Sequence, residues 1–199
     1  MEITMRSVYV GTLISLVISM TGCLYETKNE APLDFLPQDN AWFVEGRSAI
    51  KSKREVLRET TPAKNVILFV GDGMGISTVT AARIYAGQQQ GMSGEENLLS
   101  FEKFPFTGLS KTYNVDAQTP DSAGTMTAMM SGVKTDAGVI GLAESAERGL
   151  CHRVEDEVPS ALLLAELAGK KTGIVTTARL THATPAATYA YSSERNWED

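Results

Sequence analysis

The fold is indicated most directly by residues 65–75, which read NVILFVGDGMG. The first six of them, residues 65–70, form an unbroken β-branched and aromatic run, which predicts a strand buried on both faces. The glycines that follow predict a sharp turn, and residues 77–85 then carry the pattern of a helix. A buried strand that turns through glycines into a helix is typical of an α/β fold.

A second pair of elements follows in the opposite order. Residues 159–167 predict a helix, with Pro159 in its first turn and Gly169 just past its end. Residues 172–177 are β-branched again and predict a second strand. Together the two pairs predict a parallel sheet with helices on both faces, and ligands of such sheets gather at the carboxyl ends of the strands. Asp72 and the turn at residues 181–184 both fall at such ends.

Asp72 lies between two glycines at the end of the first predicted strand. The segment is neither a Walker loop nor a GxGxxG fingerprint. Glycines leave room around a carboxylate for a metal ion, and a hard oxygen ligand suits Mg²⁺ and can bridge to Zn²⁺. The alternative is that Asp72 only caps the helix that follows.

The segment TPDSAGTMTA, residues 119–128, offers a candidate nucleophile. Pro120 ends an extended stretch, Asp121 is a plausible cap, and Ser122 would lie in the first helical turn. Unpaired N–H groups and the positive end of the helix dipole favour an alkoxide or a bound phosphate there. No histidine is near in sequence, so a Ser-His-Asp triad is poorly supported, and a metal ion could replace the base by lowering the pKa of the serine hydroxyl. The alternative is a capping Asp-Ser pair without chemistry.

Two further candidates follow the second predicted strand. Thr184 offers a hydroxyl to a magnesium ion, and His182 could ligate a metal or orient a metal-bound water. Alternatively Thr184 is an N-cap, with Pro185 as the first residue of a short helix to residue 191. Arg195 could clamp two phosphate oxygens through its planar guanidinium, although a lone arginine is ordinarily a surface residue.

Composition argues against nucleic acid as a specific partner, because 18 basic and 24 acidic residues give a net charge of −6. The chain has two cysteines, Cys23 and Cys151, and two histidines, so it holds no Cys/His zinc cluster. Cys151 is expected to be free, to pack as a small apolar residue, or to pair with a cysteine beyond residue 199.

The first 22 residues are predicted to be a signal peptide, because Arg6 precedes an apolar run at residues 8–20 that is short for a membrane span. The run leads into Cys23 through a segment that resembles a lipobox, which predicts an exported lipoprotein of the periplasm or cell envelope, anchored through that cysteine. The alternatives are an ordinary secretory signal and a retained anchor. Residues 23–61 are interpreted as a tether and lead-in segment, and residues 62–199 as the folded domain.

In their order and residue types, these motifs together resemble the alkaline phosphatase family. The resemblance rests on residues 65–75, 119–128, 132–135, 173–179, 182–187 and 195–197. It implies a three-layer α/β/α sandwich with a central, mostly parallel sheet, of which residues 62–199 would be the N-terminal part.

The resemblance also implies a set of metal ligands. Asp72 would bridge a magnesium ion and one of two zinc ions, and Ser122 would coordinate that zinc. Thr184 would be a magnesium ligand, and His182 falls where some members have Asp and others have His. Trp197 falls where the His-bearing members often have Trp, which implies the His/Trp variant of the site.

The same resemblance implies catalytic roles. Ser122 would be the nucleophile and become transiently phosphorylated, Asp121 would help to position Ser122 and the arginine, and Arg195 would hold the phosphate. The implied function is hydrolysis of small-molecule phosphate monoesters, and the family suggests a homodimer. The remaining zinc ligands and a magnesium-binding Glu would come from later in the family's chain. We therefore expect this sequence to be a piece of a longer protein, and the piece alone to be inactive.

Two other functions remain open from the sequence. One is another enzyme on the same scaffold, such as a phosphodiesterase or sulfatase. The Cys/Ser-x-Pro-x-Arg segment of sulfatases is absent, and diesterases commonly use Thr as nucleophile. The other is a non-catalytic, lipid-anchored phosphate-binding protein on the same fold.

Overall fold

A computed structural model describes residues 38–56 and 60–198. The chain divides into two compact units, Met1–Leu57 and Arg58–Asp199. The predicted signal peptide and Cys23 lie outside the described residues. None of the helices in the described part of the chain has both the length and the apolar character that a membrane span requires.

The described part of the first unit contains helix α1, Ala41–Arg54. Its N-cap is Asn40, whose side chain accepts hydrogen bonds from the backbone N–H groups of Trp42 at 3.1 Å and Phe43 at 3.4 Å. The last turn is basic, which complements the negative end of the helix dipole. The residues concerned are Lys51, Lys53 and Arg54.

The described part of the second unit is built from short helices and turns. Its α-helices are α2 (Ile76–Gln88), α3 (Ser122–Ser131), α4 (Ala161–Leu167) and α5 (Ala183–Ala186). Two 3-10 turns cover Ser100–Lys103 and Val154–Asp156. Two isolated antiparallel bridges join Ile140 to Ser192 and Leu142 to Glu157.

Helix α3 lies at the centre of the core. It is capped by Asp121 and ends at Gly132, whose φ of 77° is the left-handed conformation that glycine adopts without strain. Its buried residues pack against Ile140 and the alanines of α5; this cluster comprises Ala123, Met126, Met130, Ile140, Ala183, Ala186 and Ala187. A second cluster, Val139, Leu142 and Ala146, lies in the loop that follows. The start of α3 is thus held on a packed base.

The helical predictions are largely confirmed. Helix α2 covers the predicted 77–85 and extends past both ends. Helix α4 begins at Ala161 with Ser160 as its cap, so Pro159 precedes the helix instead of lying in its first turn. Gly169 has the predicted position after the helix, with a φ of 76°.

The predicted strands require correction. Neither residues 65–70 nor residues 172–177 form a strand, and no sheet is found in the described part of the chain. Most residues of both segments are exposed, with Phe69 86% and Val175 101% accessible. A strand needs a neighbour to accept and donate its backbone hydrogen bonds, and no described segment takes that place. Between the two regions the Lys170 ammonium donates to the carbonyl of Lys64 at 3.0 Å.

Candidate active site

The N-terminus of α3 presents Ser122 as its first helical residue. Asp121 fixes this turn because its carboxylate accepts from the backbone N–H of Gly124 at 3.1 Å, while its carbonyl accepts from the Thr125 hydroxyl at 2.8 Å. The Ser122 side chain is half-buried. Its hydroxyl therefore lies at the positive end of the helix dipole, as the sequence predicts.

The Asp121 carboxylate is fully occupied by donors. Oδ1 accepts from Gly124 N and from Asn114 Nδ2 at 2.9 Å, and Oδ2 accepts from Gly138 N and from Arg195 Nη1, both at 2.9 Å. Burial raises the pKa of Asp121, but these hydrogen bonds outweigh it, and the net pKa lies below its ordinary value. Asp121 is therefore an ionised carboxylate held in one orientation.

Arg195 is aimed at the nucleophile by that carboxylate. Its Nη1 lies 2.9 Å from Asp121 Oδ2 and 3.1 Å from Ser122 Oγ. Its backbone N–H donates to the carbonyl of Gly138 at 2.8 Å, so main chain and side chain are tied to the same corner. The side chain is 23% exposed, which leaves the guanidinium accessible to a ligand above Ser122.

The loop that carries Arg195 is itself anchored. The Glu194 carboxylate accepts from Arg148 Nε at 2.8 Å and Nη2 at 3.2 Å, a fork that fixes its plane. The Arg148 hydrogen bond lowers the pKa of Glu194, against the opposing effect of burial. Ser192 forms the bridge to Ile140, and the Trp197 N–H donates to the Glu194 carbonyl at 3.0 Å. The loop is thus held on both sides of Arg195.

A second group of polar side chains surrounds Asp72. The Thr184 hydroxyl donates to Asp72 Oδ2 at 2.7 Å, and His182 Nδ1 lies 3.6 Å from the same oxygen. The turn that presents Asp72 depends on Gly73, whose φ of 63° a side chain would disfavour. The Asp72 side chain is 45% exposed and so remains accessible to a cation.

His182 connects the two groups. Its Nε2 lies 3.3 Å from Arg195 Nη2. Its Nδ1, which lies near Asp72, also accepts from the backbone N–H of Thr184 at 3.5 Å. The structure therefore brings all six predicted site residues together: Asp72, Asp121, Ser122, His182, Thr184 and Arg195.

Two of the capping alternatives are wrong. The N-cap of α2 is Gly75, without a side-chain hydrogen bond, so Asp72 does not cap that helix. The N-cap of α5 is His182, and Thr184 lies inside the helix. Its hydroxyl is therefore directed to Asp72 and not to the helix start. Asp121 does cap α3, as predicted, and binds Arg195 in addition.

The donors around Asp72 fit part of the shell of a hard divalent cation. A carboxylate, a hydroxyl and an imidazole converge there, and oxygen donors suit Mg²⁺. Within residues 38–56 and 60–198 there is no group of three or more His, Cys, Asp or Glu side chains that could hold a metal. These residues thus supply a partial ligand set.

Several contacts were not predicted from the sequence. Asn114 and Gly138 donate to Asp121. Glu198 accepts from Thr181 at 2.6 Å and from Arg179, and the Arg179 hydrogen bond is the main cause that lowers the pKa of Glu198 to about 2. The residues that make these contacts are ordinary polar residues or glycines in loops, so neither their types nor their spacing indicated these contacts.

The geometry defines a class of site. An arginine fixed beside a serine at a helix start, next to a carboxylate–hydroxyl–imidazole group, is suited to binding a phosphoryl group and a divalent cation. The family model described as alkaline phosphatase matches residues 63–199. The chain belongs to the alkaline phosphatase family.

Individual relatives agree with the family match. The chain is 51% identical over 158 residues to the tissue-nonspecific isozyme of alkaline phosphatase from Homo sapiens, covering 78% of this chain and 30% of the relative. The alkaline phosphatase of the Antarctic bacterium TAB5 superposes with a TM-score of 0.52 at 31% identity, over 64% of this chain and 32% of the other. A histidine-to-glutamate variant of that enzyme with Mg bound in the M3 site superposes with a TM-score of 0.52 at 30% identity, over 64% of this chain and 32% of the variant. The chain thus spans about 30% of the length of these relatives, and its fold is of the alkaline phosphatase kind.

Proposed function

We propose that the whole protein hydrolyses small-molecule phosphate monoesters through a phosphoserine on Ser122. The observation that carries this proposal is the position of Arg195, whose Nη1 contacts both Asp121 Oδ2 and Ser122 Oγ at the start of α3. A phosphoryl group above Ser122 would meet a guanidinium fork and the positive end of a helix dipole. Phosphoryl transfer depends mainly on such positioning and charge stabilisation.

The reaction has two steps. In the first, Ser122 Oγ loses its proton to solvent and forms a bond to phosphorus, while the ester P–O bond breaks and the leaving alkoxide takes a proton from water. In the second, water attacks the phosphorus of the phosphoserine and loses a proton to solvent, the Oγ–P bond breaks, Oγ takes up a proton, and inorganic phosphate is released. Arg195 binds two phosphoryl oxygens throughout, and the ionised Asp121 keeps the guanidinium in place.

We propose that metal ions complete the site. Asp72 and Thr184 would hold Mg²⁺, with His182 beside them, and Asp72 and Ser122 would contribute to one of two Zn²⁺ sites. A bound divalent cation would lower the pKa of the Ser122 hydroxyl. The convergence of the Thr184 hydroxyl and the His182 imidazole on Asp72 Oδ2 supports the first part of this proposal.

The surrounding architecture is proposed to be the three-layer α/β/α sandwich of the family. The apolar residues 65–70 and 172–177 would be strands of its central sheet in the whole protein. Hydrogen exchange on the whole protein tests this: amides of residues 66–69 should exchange slowly there. Rapid exchange would contradict burial in a sheet.

We further propose that the whole protein is an exported lipoprotein of the periplasm or cell envelope, anchored through Cys23. We also propose that it forms a homodimer. The change Cys23→Ser should release the protein from the membrane fraction. Sedimentation of the whole protein should give a mass twice that of one of its polypeptide chains. A protein that stays membrane-bound as Cys23→Ser, or that sediments as a monomer, would count against the respective part.

The activity is tested by hydrolysis of p-nitrophenyl phosphate at alkaline pH by the whole protein, before and after treatment with a chelator. We expect turnover that is lost on chelation and restored by Zn²⁺ with Mg²⁺. Phosphate binding without turnover in the metal-loaded protein would instead support a non-catalytic binding protein. Turnover that is indifferent to chelation would contradict the metal proposal.

A further inference from the structure

Asn114 is a deeply buried polar side chain that contacts Asp121. It is 2% exposed, and its Nδ2 donates to Asp121 Oδ1 at 2.9 Å. The amide orientation is fixed by chemistry, because a carboxylate only accepts and a reversed amide would set two oxygens against each other. Asn114 therefore acts on Asp121 as a donor.

The segment around Asn114 is braced against the loop that follows α3. The N–H of Val115 donates to the carbonyl of Thr135 at 3.0 Å, and the Asp116 carboxylate accepts from the N–H of Ala137 at 2.8 Å. Asn114 itself donates its N–H to the carbonyl of Ala117 at 3.0 Å. The side chain thus projects from a fixed backbone.

The other end of the amide has no partner. Asn114 Oδ1 is buried without a hydrogen bond in the described part of the chain, and it lies where a side chain on Gly124 would be. A Cβ at Gly124 would come within 2.6 Å of that oxygen. An unpaired buried acceptor is unfavourable, so an apolar residue would suit this position better if only packing mattered. The presence of an amide here is explained by the hydrogen bond that its Nδ2 donates to the Asp121 carboxylate.

We propose that Asn114 is a positioning residue, which locks the Asp121 carboxylate so that Oδ2 holds Arg195 over Ser122. This inference rests on the proposed function of the site. Without the Asn114 donor, Oδ1 would keep only the Gly124 N–H, and the carboxylate could rotate. Rotation moves Oδ2 away from Arg195 Nη1, so the guanidinium would no longer be aimed at the phosphoryl position.

The test uses three variants of the whole protein. Asn114→Ala removes the donor, Asn114→Asp keeps the shape but replaces the donor by an acceptor, and Gly124→Ala keeps the amide but displaces it. Ser160→Ala is the matched control: Ser160 is 7% exposed, caps α4 and donates to the Thr188 carbonyl at 2.6 Å, outside the network of Asp121. For each protein we would measure the melting temperature, the dissociation constant of inorganic phosphate by calorimetry, and kcat for p-nitrophenyl phosphate.

All three variants should weaken phosphate binding by about tenfold, the size of one hydrogen bond to a charged group, and should lower kcat as well. Asn114→Asp should be at least as harmful as Asn114→Ala, whereas a packing role would make the isosteric change the milder one. Ser160→Ala should lower the melting temperature and leave phosphate binding unchanged.

The proposal is overturned if the Asn114 variants bind phosphate as the parent does, or if Ser160→Ala weakens binding equally. If either Asn114 variant fails to fold, Gly124→Ala decides by the same criterion. If the parent binds phosphate but does not hydrolyse p-nitrophenyl phosphate, the proposed hydrolysis is refuted. The phosphate-binding test of Asn114 remains valid in that case. A parent that neither binds nor hydrolyses overturns both.

Discussion

The region around α3 and the two apolar segments at residues 65–70 and 172–177 are both hydrophobic, yet they behave in opposite ways. Residues of α3 such as Ala123 and Met126 are 0% and 5% exposed. In the segments, Val66 and Phe69 are 82% and 86% exposed. The contacts of α3 come from α5 and the loop after α3, which are in the chain. Most side chains of these segments are left exposed by the described residues.

The difference shows which interactions assemble the candidate site. A helix satisfies its backbone internally, so α3 needs only a cap and a packed face. A strand satisfies its backbone only through neighbouring strands. The candidate site therefore rests on helix starts and loops, and no sheet is found among the described residues.

The largest expected effect comes from removing the nucleophile at the start of α3. In the whole protein, Ser122→Ala should reduce kcat for p-nitrophenyl phosphate by roughly 10³-fold or more. Ser131→Ala, at the other end of the same helix, is the control and should leave kcat unchanged. Near-normal turnover by Ser122→Ala would contradict the assignment of Ser122 as the nucleophile.

The next effect concerns the arginine that the same region holds in place. Arg195→Ala should weaken inhibition by inorganic phosphate by about 100-fold, because two charge-assisted hydrogen bonds are lost. Arg195→Lys should recover only part of this, since an ammonium lacks the fork. Arg47→Ala, in α1, serves as the control. An unchanged inhibition constant for Arg195→Ala would rule out the clamp.

A third prediction compares the two regions directly by stability. Met126→Ala should lower the free energy of unfolding by about 2–4 kcal/mol, because it leaves a cavity beside α5. Met129→Ala on the same helix is 53% exposed and is the control. In the 199-residue chain, Phe69→Ala should change stability by only about 0.5 kcal/mol or less. A cost for Phe69→Ala similar to that of Met126→Ala in that chain would remove the contrast.

The smallest effect is a pH dependence at Asp156, in the 3-10 turn Val154–Asp156. Asp156 accepts from Ser145 at 2.6 Å and from Arg153, and these bonds lower the pKa of its carboxyl from 3.8 to about 2. A depressed pKa contributes stability above pH 3.8 that is lost as the pH falls towards 2. Asp156→Asn should therefore lower the melting temperature at pH 7 and match the parent near pH 2.

Glu155→Gln is the control for this titration, because the Glu155 side chain is 66% exposed and its partner Arg153 lies 3.5 Å away. It should shift the melting temperature little at either pH. A difference for Asp156→Asn that persists unchanged to pH 2 would show that ionisation is not its cause.

The sequence predicted the parts of the site that depend on local rules. Asp121 and Ser122 follow a proline and open a helix, so their place at the start of α3 could be foreseen. The cap of α5 was misassigned because both His182 and Thr184 can accept from a helix N–H, and only the fold decides between them. Asn114 gave no signal, since an asparagine in a turn is common and its contact to Asp121 depends on the path of the loop.

The strands at residues 65–70 and 172–177 were predicted for a sound reason but do not form here. Apolar β-branched runs indicate a preference for burial in a sheet. They do not indicate which segments will lie beside them, and pairing is a property of the neighbours. Hence the apolar pattern alone could not decide whether these residues pair, and the described residues contain no sheet.

The central claim is that Ser122 becomes phosphorylated, and the most direct test is to trap that intermediate. The whole protein, loaded with Zn²⁺ and Mg²⁺, would be mixed with a phosphate monoester, quenched in acid and digested for mass spectrometry. We predict one phosphoryl group on the peptide that contains Ser122, and none in Ser122→Ala. Turnover with the phosphoryl group on another residue, or with no phosphopeptide, would contradict the account.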